Sequence, residues 1–89
     1  MTTDERTQEI QDRARDAAAI LADEQVIGGL RRMSERLISD WRNTARSNPV
    51  LRDELHAQVA AIDALVSLWE RDIEDAKFLE AKLAKAARR

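Results

Sequence analysis

The stretch LHAQVAAIDALVSLWERDIEDA, residues 55–76, decides the fold. Its apolar positions Leu55, Val59, Ile62, Val66, Trp69, Ile73 and Ala76 are separated by 4, 3, 4, 3, 4 and 3 residues. A mean period of about 3.5 puts them on one stripe of a helix that lies along another helix. No glycine or proline interrupts the run. Leu65 and Leu68 fall beside the stripe and make it wider than a seam for one neighbouring helix.

Reading back from Leu55, Ser47-Asn48-Pro49 is the strongest punctuation in the chain. Asn48 suits an N-cap, and Pro49 suits the first helical position, where no N–H is needed. The spacing therefore predicts a helix over 49–86, a turn at 47–48 and a preceding helix over 24–46. That preceding helix carries Val26, Ile27, Leu30, Met33, Leu37, Ile38 and Trp41 on one face, with Asp23 as its N-cap. Still earlier, Ile10, Ala14, Ala17 and Leu21 repeat the 4, 3, 4 spacing with smaller side chains. They predict a helix over 4–21, continuous with the next or bent from it near Ala22-Asp23.

A short turn favours antiparallel neighbours. The expected architecture is all-α: a single domain forming a long antiparallel helical hairpin with a coiled-coil-like seam. Folding about 47–48 sets Trp41 near Leu55, Leu37 near Val59 and Leu30 near Val66. Trp69 then falls opposite Val26 to Gly29. Gly28-Gly29 reads in two ways: room for that indole, or a kink in the first arm. Glu80 occupies the next heptad position, and Lys77 or Arg13 would have to partner it if it were buried.

Composition narrows the function classes. The 89 residues hold no cysteine, so neither a disulfide nor a thiolate metal site is available. The opening MTTDERTQEI has no basic stretch and no apolar core, so no signal peptide is expected. No apolar run approaches the roughly 20 residues that span a bilayer, so no membrane partner is expected.

Charge is segregated along the chain. Residues 1–25 carry a net −4, residues 26–52 +4, residues 53–80 −6 and residues 81–89 +4. In a hairpin the basic second segment lies beside the acidic third, which predicts interhelical charge pairing. Two basic clusters remain as candidate contacts for phosphate or an acidic partner. Arg42, Arg46 and Arg52 flank the turn, and Lys82, Lys85, Arg88 and Arg89 form the tail. No aromatic residue alternates with either cluster and no glycine-rich phosphate loop is present, so nucleic acid is the less favoured partner.

Catalytic and metal chemistry find little support. His56 is the only histidine. Asp53-x-x-His56 shares a helical face, but a di-iron bundle needs Glu-x-x-His pairs with further inward glutamates. No nucleophile–histidine–acid set is in view. No cofactor and no enzymatic activity are expected.

Leu30-x6-Leu37-x3-Trp41-Arg42-Asn43-Thr44, a short polar turn, and then Arg52-x2-Leu55 with a Lys/Glu/Ala-rich tail carry a resemblance. The arrangement resembles small all-helical hypothetical proteins of tailed bacteriophages and prophages over roughly residues 20–85. Gly28-Gly29 departs from that pattern. The resemblance implies a virion structural or assembly accessory protein, located in the cytoplasm of a bacterial host or in the virion. Its partners would be itself, as a homo-oligomer, or another phage protein. Ile38, Leu65 and Leu68 are the candidate protein-interaction residues, because they widen the apolar face beyond the seam. A nucleic-acid-associated packaging or regulatory protein, using the basic turn and tail, is the alternative.

Overall fold

The computed structural model describes residues 2–88 and contains three helices: α1 (Thr3–Ala22), α2 (Glu24–Asn43) and α3 (Pro49–Ala87). No strand occurs among the described residues. The chain is all-α, as its apolar periodicity requires.

Each helix begins on a side-chain cap. Thr2 accepts from the Glu5 N–H at 3.2 Å, and the Glu5 carboxylate accepts from the Thr2 N–H at 3.4 Å, a reciprocal capping box. Asp23 accepts from the N–H groups of Gln25 (2.9 Å) and Val26 (3.3 Å). Asn48 accepts from Leu51 N–H at 3.3 Å, with Pro49 at the first helical position. Asp23 is also the break between α1 and α2: its backbone is extended (φ −82°, ψ 105°), so the first arm is bent there and is not one continuous helix.

Helix α3 is the spine. At about 1.5 Å per residue its 39 residues span about 58 Å, close to the 63 Å long axis of the whole molecule. Helix α2 packs along its first half in antiparallel register. Ile27 and Leu30 share a groove with Ile62 and Val66, while Ile38 and Trp41 share one with His56 and Val59. The expected pairing of Leu30 with Val66 is met. Helix α1 also packs on α3, more extensively than α2 does, and scarcely touches α2. Among the described residues the buried ones are Ala17 of α1 with Leu55 and Ala76 of α3. Small side chains on facing helices let their axes approach closely, which explains how a face as thin as that of α1 can dock.

The stripe on α3 is realised. Leu55 and Ala76 are buried, and Val59, Ile62, Val66, Trp69 and Ile73 are half-buried. Beyond Ala76 it changes phase. Leu79, not Glu80, is half-buried, and Glu80 is exposed. Carried on from Leu55, a 3.6-residue repeat would keep position 80 on the stripe, so the shift to Leu79 is not a consequence of the helix period.

Four further expectations are corrected. Helix α2 ends at Asn43, three residues before the expected 46, where the Thr44 hydroxyl donates to the Asp40 carbonyl and Arg52 donates to that of Trp41. Gly28-Gly29 does not accommodate Trp69: a Cβ at either glycine would meet only the Arg32 guanidinium, at 3.5 and 3.9 Å. Nor do the glycines break the arm, since α2 is helical throughout. The interhelical charge pairing is not formed. The ion pairs among the described residues, Arg13–Glu9, Arg15–Asp12 and Lys77–Glu74, each lie within one helix and are exposed. Val26 and Met33, assigned to the core-facing stripe, are exposed.

Candidate interaction surface

At about 100° per residue, the α2–α3 seam has two edges of different character. One edge carries Arg31, Ser34 and Ile38 of α2 and His56 and Asp63 of α3. It forms a groove of about 260 Å³ around Ile27, Leu30, Ile62 and Val66, and another of about 190 Å³ around Ile38, Trp41, His56 and Val59. Charged or titratable side chains rim both: Arg31, Glu35 and Asp63 on the first, Arg42 and His56 on the second.

The opposite edge is barer. Val26, Gly29 and Met33 follow one another at spacings of 3 and 4 along α2, and Leu65 and Leu68 line the facing edge of α3. All four side chains are exposed, Met33 to 55% and Leu68 to 50%. Scattered exposed hydrophobics are ordinary, but four around one glycine form a patch. The patch joins Leu65 and Leu68 but not Ile38, which is half-buried in the second groove on the other edge.

The basic candidates are split. Arg42 and Arg46 are exposed at the turn end, and Lys82, Lys85 and Arg88 at the far end of α3. About 45 Å of helix separates residues 52 and 82 at about 1.5 Å per residue, so the two clusters cannot form one site. Arg89 lies outside the described residues. Arg52 serves the fold: its guanidinium donates to the carbonyls of Thr44 (2.9 Å) and Trp41 (3.3 Å) and sits 4.5 Å from the Trp41 ring centroid. It closes the end of α2 and ties the turn to α3. Residues 80–88 are exposed on every side, with Phe78 just before them 73% exposed. Phe78, Ala81, Lys82 and Lys85 border a shallow depression there.

Among the described residues, no three His, Asp or Glu side chains converge where a metal ion could be held. No helix among them is long and apolar enough to cross a membrane. No protein-family model, curated protein or solved structure matches the chain.

The sequence reading missed Val26 and Met33 as surface residues. Their spacing relative to Leu30, at positions −4 and +3, places them toward one flank, and Leu65 and Leu68 mark the corresponding flank of α3. Register was the missing information, because a flank becomes a patch only when both helices turn the same edge outward.

Proposed function

We propose that this chain is a non-enzymatic helical interaction protein that works by laying an apolar helix flank against another helical surface. The observation that supports the reading is the state of its interior. Among the described residues only two alanines and one leucine are buried, while large hydrophobics remain exposed along all of α3 and on α2. A fold that leaves this many large hydrophobics outside is complete when something covers them. The resemblance around Trp41-Arg42-Asn43-Thr44 makes assembly of a phage virion the setting, with the host cytoplasm or the particle as location. Deleting the gene from its phage and imaging the lysate tests this. Incomplete or aberrant particles are the expected result, and a normal yield of normal particles refutes it.

The exposed end of α3 favours a second reading. Lys82, Lys85 and Arg88 project on a helix segment that no other helix covers. Such an end can follow a phosphate backbone. Duplex DNA binding that weakens with salt and disappears when these three residues are neutralised supports it; no binding at low salt rejects it.

A further inference from the structure

We infer that the edge formed by Val26, Gly29, Met33, Leu65 and Leu68 is the contact surface between two copies of this chain, joined as an antiparallel four-helix dimer. The inference rests on the interaction reading above and names its partner.

Area is the first argument. A compact monomer of 10.1 kDa exposes about 5,300 Å². This chain exposes 7190 Å², roughly 1,900 Å² more than that scaling gives. A standard interface takes about 800 Å² from each partner, and obligate dimers take about 1,000–2,500 Å². The surplus belongs to the whole elongated molecule, 63 × 25 × 23 Å, and is of the size that an obligate helical dimer removes.

Shape is the second. Gly29 lies in the middle of the patch in regular helix, and no packing inside the chain requires a glycine there: the nearest atom to an added Cβ is 3.9 Å away on a flexible arginine. A helical glycine that no neighbour requires costs stability for nothing within the chain. It does provide a flat place where another helix can approach. A two-fold axis parallel to the helices sets α2 of one copy against α3 of the other in the register already seen within the chain. Leu65 and Leu68 of one copy then meet Val26, Gly29 and Met33 of the other, twice over, as an isologous interface requires.

Charge is the third. Residues 26–52 carry +4 and residues 53–80 carry −6, yet among the described residues no ion pair joins α2 to α3. In this dimer every α2 lies between two acidic α3 helices. Other chains of acidic character would be repelled by α3, whereas a second copy presents both signs in matching order.

Sedimentation equilibrium of the full chain, with circular dichroism alongside, tests the inference. The expected result is a dimer at micromolar concentration. Leu68→Glu and Gly29→Leu should each raise its dissociation constant at least about tenfold, as loss of a central contact does. Gly28→Leu, on the outer side of the arm, should leave it unchanged. Gly29→Leu also guards against a folding artefact, since leucine is the better helix former. A dimer indifferent to Leu68→Glu and Gly29→Leu overturns the assigned surface. A helical monomer at high micromolar concentration overturns the second copy. If that monomer still binds anilinonaphthalene sulfonate, the broader interaction reading survives; if it does not, both readings fall.

Discussion

Replacing Arg52 by alanine should cost about 2 kcal/mol of stability, although Arg52 is a surface arginine half-buried beside a turn. The figure follows from its contacts. The guanidinium donates two hydrogen bonds to backbone carbonyls at the end of α2, at 2.9 Å to the C-cap Thr44 and 3.3 Å to Trp41. Each such bond contributes about 0.5–1 kcal/mol where water can substitute. The stacking on Trp41, 4.5 Å from the ring centroid, adds roughly 0.5–1 kcal/mol at a partly exposed site. For a domain of this size, that loss lowers the melting temperature by roughly 8–16 °C. Arg52→Lys should fall between, because an ammonium keeps the charge but not the planar stack. Denaturant titration followed by circular dichroism, at one fixed protein concentration, measures the effect. A loss under about 0.5 kcal/mol for Arg52→Ala would refute the assignment, because ordinary surface substitutions stay within that range.

Other expected outcomes follow from the caps, the glycines and the exposed ends. Asp23→Ala should cost about 1–2 kcal/mol, since it removes an acceptor shared by two N–H groups at the only bend in the first arm; Asn48→Ala should cost about 1 kcal/mol. Denaturant titration reads both. Gly28→Ala should stabilise by about 0.5–1 kcal/mol, because a Cβ there meets nothing nearer than an ordinary contact at 3.5 Å. A destabilised Gly28→Ala would mean that the outer face of α2 is covered. If DNA binds the α3 tail through Lys82, Lys85 and Arg88, the logarithm of its affinity should fall against the logarithm of salt with a slope near about −3. A slope near zero would exclude these contacts. For a dimer that folds as it associates, each tenfold rise in concentration should raise the melting temperature by about 3–4 °C, from about 1.4 kcal/mol of mass action acting on the unfolding entropy of both chains. A melting temperature independent of concentration would contradict it.

The elements were legible because helix signals are local. Asn48-Pro49 and Asp23 mark two of the helix starts by chemistry confined to a few neighbouring residues, and both appear as caps. Thr2-x-x-Glu5 is an equally local signal, and it moves the first start to Thr3. The end of α2 was less legible. Asn43 and Thr44 are weak helix formers, but the decision to stop there involves Arg52, on the next helix. The phase change from Glu80 to Leu79 was hidden for a different reason. Both the 3.5- and the 3.6-residue repeat carried on from Leu55 lead to residue 80, so the shift to Leu79 depends on what packs there and is not written in the local period.

The candidate surface needed the third dimension. A wide apolar stripe is visible along residues 55–76, but width alone does not say which flank stays outside. Ile38, Leu65 and Leu68 look equivalent in the sequence, yet the antiparallel register sends Ile38 into a groove with Trp41 and Val59 and leaves the two leucines exposed. The same register explains why charge patterning misled. Opposite net charges on α2 and α3 suggested pairing inside the chain, but the apolar seam occupies the space between the helices and turns the charges to its rims. The charges that rim the grooves, Arg31, Glu35, Asp63 and Arg42, lie on the edge opposite the exposed leucines. A chain without cysteine and with little buried apolar surface has few other means of becoming stable, so the surface that would bind and the surface that would finish the fold are the same.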